Sequence, residues 1–244
     1  MTSPTPQQMA QNALLSVLRD EDRRRLQPHM LALDLTAHTT LIHAGEQVTD
    51  TWFPCGGALA AFCIAGPEGR GVDVAFVGRE GAVGGIVSNG HVPAYSTAVV
   101  RIEGQFLRIK TSALEQLKLE SISLRHWFSR YADCLLAQVF QTSACNAMHT
   151  IRQRVAKMIL AGLARNNETA FRMTQEQLAE MLGVGRTFIS RVLGSLRDDG
   201  IIETTRGALI IKDLQALRAL SCSCTLAIED HFDKVLHGIY PLPD

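Results

Sequence analysis

The stretch TQEQLAEMLGVGRTFISRVLGSLRDDG, residues 174–200, constrains this chain more than any other. Thr174 stands where a helix N-cap is expected. Gln177 follows three residues later and completes the T-x-x-Q pattern of a capping box. Leu178, Ala179, Met181 and Leu182 give the first helix an apolar face, and Gly183 suits the left-handed residue that ends a helix. A second helix is expected to begin near Gly185, with Ile189, Val192, Leu193 and Leu196 turned inward. Its outward residues are then Arg186, Thr187, Ser190, Arg191 and Gly194, one stripe that starts in the first turn. A helix fits the DNA major groove, where Arg binds guanine O6 and N7 and hydroxyls reach bases or phosphates. The helix N-terminus also favours phosphate.

The following GIIETTRGALIIKD reads as a β-hairpin turning near Arg206–Gly207. A wing there would carry Arg206 to the phosphate backbone, with Gln175 near it at the start of the first helix. An ordinary helical pair with solvated arginines is the competing reading. Capping, turn and hairpin together favour the DNA-reading one.

Charge agrees with this. The chain of 244 residues has 24 basic and 24 acidic side chains and a formal net charge of zero. Residues 150–218 nevertheless hold eleven Lys/Arg against seven Asp/Glu, leaving thirteen against seventeen elsewhere. A basic module offset by an acidic remainder implies a polyanionic partner for one part only. No run approaches the ~20 apolar residues of a membrane span. MTSPTPQQMAQ lacks the basic and apolar regions of a signal peptide. A cytoplasmic location without membrane contact is expected.

The first half has another texture. Met9, Leu14, Leu15 and Leu18 fall at helical spacing within residues 7–19. From about 30 to 110, short runs rich in Val, Ile, Phe and Thr alternate with Gly, Asn or Pro turns, as in GALAAFCIAGPEGRGVDVAFVG. Such spacing predicts an antiparallel barrel or jelly roll. From Thr111 onward helix formers dominate. Leu117, Ser121, Leu124, Phe128, Tyr131, Leu135, Gln138 and Thr142 form a heptad-like seam. That helix either covers the barrel or also pairs with its twin in a dimer.

At this point the sequence resembles the Crp/Fnr superfamily of bacterial transcription factors, most specifically through MTQEQLAEMLGVGRTFISRVLGSLRDDGII. The resemblance implies an α+β chain in three parts. Residues 1–112 would be an antiparallel β jelly-roll sensor domain, cyclic-nucleotide-binding-like, with an N-terminal helix. Residues 113–149 would be a dimerisation helix. Residues 150–244 would be a winged helix-turn-helix DNA-binding domain with a C-terminal helical extension. It further implies a homodimer on a near-palindromic operator, half-sites about one turn (~34 Å) apart, acting with RNA polymerase and without enzymatic activity. Arg186 and Arg191 match family positions that touch bases or phosphates, and Ser190 matches one branch. Thr187 stands where many members carry Glu, so the best-known family operator does not transfer.

The sensor half departs from the nucleotide-binding members, whose cassette resembles G-E-L followed by R-S/T-A. Here GREGAVGGIVSNGHVPAYSTAVV puts Gly85 at the ribose-binding Glu and Tyr95 at the phosphate-binding Arg. A buried cyclic phosphate needs a charged partner, so the expected effector is not a conventional cyclic nucleotide. Gly78–Gly81 reads as a structural turn with Arg79 and Glu80 at its surface. A candidate small-molecule pocket places Tyr95, Ser96 and Thr97 against Tyr131, Leu135 and Gln138. A signal there would change the packing or register of the dimer helix.

Six cysteines in such a chain do not suggest a disulfide framework. No cysteine cluster precedes the β-roll, so an iron–sulfur centre of the family's kind is not expected; the cofactor is unknown, and haem stays open because one His or Cys is enough to ligate it. Cys134 and Cys145, eleven residues apart on one helix, share a face and are candidates for a thiol switch between twins. Cys222 and Cys224 precede His231 and His237, but the two histidines, six apart, point to different sides of a helix, and no metal site is expected. HTTLIHAGE offers His38, His43 and Glu46 to a cupin-like metalloenzyme, yet the paired H-x-H is missing.

Overall fold

Asn12 divides the N-terminal apolar stretch into two single turns, α1 (Pro6–Met9) and α2 (Ala13–Ser16), where the sequence suggests one helix. Its side-chain oxygen accepts from Leu14 and Leu15 N–H, while its amide donates to Pro54 O and Gly81 O, both at 2.9 Å. Turns this short are not stable alone. Burial of Met9, Leu14, Leu15 and Leu18 holds them, at about 1.5–3 kcal/mol for each large side chain. The computed structural model describes residues 3–66, 71–86, 92–166, 170–171, 173–205 and 208–236.

The chain divides into two compact units, one of residues 1–64, 74–138 and 230–244, the other of residues 65–73 and 139–229. In the first unit, α3 (Asp20–Leu26) leads into β1 (Met30–Leu35), β2 (Thr40–Ile42), β3 (Asp50–Pro54) and β4 (Leu59–Ala65). Then come β5 (Gly71–Val77), β6 (Thr97–Ile102), β7 (Gly104–Lys110), α4 (Thr111–Glu120) and α5 (Ile122–Met148). One sheet has the order β1-β7-β3, the other β2-β6-β4-β5. The pairs β1–β7, β3–β7, β2–β6 and β4–β6 are antiparallel.

Strand alternation sorts side chains into two cores. Trp52 and Phe106 join Ala60, Ala98 and Val100 between the sheets. Phe53, Leu107 and Ile109, their chain neighbours, face the helices and meet Leu14, Leu114, Trp127, Phe128 and Tyr131. Among the described residues, seven strands in two such sheets make the jelly-roll architecture expected of residues 30–110.

The helical segment departs from expectation at Ser121. This residue is extended (φ −124°, ψ 105°), ends α4, and accepts from Leu124 N–H to start α5. The seam that begins at Leu117 is therefore broken. Its Leu124, Phe128 and Tyr131 are buried in their own unit's core, not displayed to a twin. The exposed apolar residues of α5 are instead Ile122, Leu136, Phe140 and Met148. The boundary between the two compact units falls at 138/139, inside α5. The last turns of α5 bond to the C-terminal part, as Gln141 does to Cys224.

The second unit continues with α6 (Ile151–Asn166), β8 (Ala170–Phe171), α7 (Gln175–Leu182) and α8 (Arg186–Asp198). After these come β9 (Ile202–Thr205), β10 (Ala208–Ile211), α9 (Leu214–Leu220) and α10 (Cys224–Leu236), which crosses back to the first unit. β8, β10 and β9 form a small antiparallel sheet. No described helix is long and apolar enough to cross a membrane.

Candidate nucleic-acid interface

The two helices read from residues 174–200 are α7 and α8. Thr174 Oγ1 accepts from Gln177 N–H at 3.1 Å, and Gln177 Oε1 accepts from Thr174 N–H at 2.9 Å, the reciprocal capping box. Gly183 takes φ +65°, and Val184 N–H closes back on Ala179 O. A β-carbon at this φ is strained, so glycine fixes the angle at which α8 leaves. Leu178, Ala179, Met181 and Leu182 are buried, as are Ile189, Val192, Leu193 and Leu196.

Arginines brace the pair from α6. Arg152 donates to Ser195 Oγ at 3.1 Å and pairs with Asp199, and Arg154 donates to Leu182 O at the end of α7. A cation on terminal carbonyls is favourable for charge as well as for hydrogen bonding. Sequence reading assigned these two arginines no role, because their partners lie 28 to 47 residues away.

The outward stripe is where it was expected. Arg186, Thr187, Ser190 and Arg191 are exposed, and Gly194 is half-buried. α8 begins at Arg186, and its N-cap, Gly185, has no side chain to cap the first N–H groups. Ser190 Oγ donates to Gln175 Oε1 at 2.6 Å, joining the first residue of α7 to the reading face. Phe188, 40% exposed, was missed because an aromatic in an amphipathic pattern reads as core. Arg191 lies over its ring, 5.9 Å from the centroid.

β9 and β10 pair with Thr205 opposite Ala208, so two residues join them. Those residues, Arg206 and Gly207, lie outside the described residues. Between hairpin and helices is a concavity of about 330 Å³, lined by Thr174, Gln175, Glu176, Arg186, Thr204 and Thr205 among others. It gathers hydroxyls, an amide and a guanidinium, the donors that phosphate oxygens accept from. Glu176 brings one carboxylate there, 3.9 Å from Arg186.

The proposed effector residues are not assembled in this way. Tyr131 is buried, and its hydroxyl donates to Ala82 O at 3.0 Å in the core. Burial, more than any neighbour, raises that hydroxyl's pKa. Gln138 donates to Phe76 O, Thr97 accepts from Ala44 N–H, and Leu135 packs against both cores. Tyr95 is 91% exposed and Ser96 half-buried, so the six do not face one another across a pocket.

The glycine at the cassette's glutamate position has a steric basis. Gly85 has φ +51°, and a β-carbon there would lie 2.5 Å from Thr51 Oγ1 and 2.6 Å from Thr111 Cγ2. No glutamate fits at that position. Gly78–Gly81 is a turn closed by Gly81 N–H on Gly78 O, with Glu80 accepting from Gly78 N–H. Lys118, unmarked in the sequence reading, is buried and donates to Ile86 O at 3.0 Å, and burial lowers its pKa.

The cysteines also fall differently. Cys134 is buried in the first unit, and burial pushes its thiol up to about 11. Cys145 is buried in the second unit against Cys222, their sulfurs 3.7 Å apart. Neither is displayed to a twin.

Residues 153–220 match the Crp-like helix-turn-helix domain model. No curated protein matches the chain in sequence. Among solved structures, FixK2 from Bradyrhizobium japonicum is 17% identical with a TM-score of 0.68, covering 79% of this chain and 98% of its own. A Crp/Fnr-family regulator from Eubacterium rectale is 16% identical with a TM-score of 0.68, covering 85% and 96%. The c-di-GMP responsive regulator CLP of Xanthomonas campestris is 16% identical with a TM-score of 0.65, covering 80% and 100%. Residues 153–220 thus form a helix-turn-helix domain of the Crp-like kind. The chain has the Crp/Fnr fold, with a Crp-like helix-turn-helix domain at residues 153–220.

Proposed function

We propose that the chain is a homodimeric transcriptional regulator that binds a near-palindromic operator and acts with RNA polymerase. The observation that carries this is the exposed face Arg186, Thr187, Ser190 and Arg191 on a helix whose inner residues Ile189, Val192, Leu193 and Leu196 are buried. Gln175 and Arg206 serve the phosphate backbone in this reading. Leu136 and Phe140, exposed one turn apart on α5, support pairing of two copies along that helix.

The effector is other than a conventional cyclic nucleotide. Gly85 has no room for a ribose-binding carboxylate, and Tyr95 supplies no charge for a phosphate. The test is selection of genomic fragments by the purified protein at stated salt, with and without cyclic nucleotides, including c-di-GMP. A palindrome with half-sites one turn apart is expected without any of them. Arg186→Ala should then cost about 1–3 kcal/mol and relax specificity at one base. If Arg186→Ala and Arg191→Ala both leave operator affinity unchanged, the reading face is wrong.

A further inference from the structure

Cys145, Cys222 and Cys224 form a buried cluster separate from the apolar cores. They come from the last turn of α5, the joint between α9 and α10, and the first residue of α10. His149, in the joint between α5 and α6, completes the group. His149 N–H still bonds to Cys145 O in helical fashion, so C-x₃-H lies on one face, and C-x-C comes from the far end of the unit.

All four ligand atoms lie within 4.8 Å of one another. Cys145 Sγ and Cys222 Sγ are 3.7 Å apart, and Cys224 Sγ is 3.5 Å from His149 Nδ1. A tetrahedral zinc, with Zn–S about 2.3 Å and Zn–N about 2.0–2.1 Å, has ligand–ligand edges of roughly 3.5–3.8 Å. A disulfide would need its sulfurs at about 2.05 Å. We propose that Cys145, His149, Cys222 and Cys224 bind Zn²⁺ in a closed tetrahedral Cys₃His site.

The surroundings suit that charge. On binding, three S–H bonds break, three protons leave to solvent, and three Zn–S bonds and one Zn–N bond form. The product carries one net negative charge. Lys157 Nζ is 3.4 Å from Cys145 Sγ, and Gln141 Nε2 donates to Cys224 Sγ at 3.2 Å. Cysteines acting only as small hydrophobes would gain nothing from a cation and an amide donor. The metal would close a 77-residue span between Cys145 and Cys222 that contains the entire helix-turn-helix and hairpin.

The full-length protein, purified under reducing conditions without a metal-binding tag, is assayed for zinc, then stripped and titrated with Co²⁺. One zinc per chain is expected. The cobalt form should show sulfur-to-metal charge transfer and tetrahedral d–d bands that Zn²⁺ abolishes. Cys222→Ser should lose the stoichiometric metal, whereas Cys63→Ser, in the other unit, should keep it. Gln141→Ala should weaken zinc binding about 10- to 100-fold. The wild-type cobalt spectrum decides the matter even if Cys222→Ser does not fold. Folded wild-type protein that takes up no zinc, an octahedral cobalt spectrum, or a Cys145–Cys222 disulfide recovered after denaturing alkylation would each overturn the proposal.

Discussion

Arg186 and Glu176 face each other across 3.9 Å, at 69% and 68% exposure. An ion pair so open to water contributes about 0–1 kcal/mol to stability, so its importance lies elsewhere. The carboxylate lines the same concavity as the donors proposed for phosphate, and a phosphate bound there would be repelled by it. Glu176→Gln should tighten DNA binding several-fold at low salt, with less gain as salt rises. Fluorescence anisotropy at two ionic strengths checks this. Weaker binding would mean instead that Glu176 accepts a hydrogen bond from the DNA, as a carboxylate does from cytosine N4–H.

At the scale of elements, legibility in the sequence followed the range of the interactions. The capping box, the αL glycine and the inner face of α8 all depend on residues within a few positions, and the sequence displays them directly. The register of α5 was not legible. An apolar seam looks the same whether it faces its own barrel or a second copy, and Ser121, read as one seam position, is a joint. The four-residue cluster around Cys145 was hidden for a stronger reason, since its halves lie 77 residues apart. A correct seam has a direct test. Phe140→Glu, 64% exposed before substitution, should leave the fold intact while weakening dimerisation at least tenfold in sedimentation equilibrium. Leu124→Glu, aimed into the core, should instead unfold the first unit.

For the molecule as a whole, burial of ionisable groups predicts how stability responds to alkali. Burial pushes the Cys55 thiol up to about 12 and Cys134 up to about 11, from an ordinary value of 9.0. Their contribution is fully present below pH 9.0 and is lost as pH rises through the folded values, because only the unfolded chain releases those protons easily. Lys118, whose pKa is lowered, works in the opposite sense. Denaturant midpoints measured from about pH 8 upward should therefore fall, and Cys55→Ala should flatten the decline relative to wild type.

The turn at residues 78–81 is tied to two other parts of the first unit. Two adjacent carbonyls, Gly81 O and Ala82 O, are held by Asn12 from the N-terminal segment and by Tyr131 from α5. Trp127, one helical turn before Tyr131, fastens α5 to the same segment through Leu14 O. Three parts of the chain are riveted at one place, and a β-carbon on Gly81 would strike the Tyr131 ring, so the joint has no slack. A displacement of α5 within this unit would have to break these bonds or carry the turn and the N-terminal segment with it.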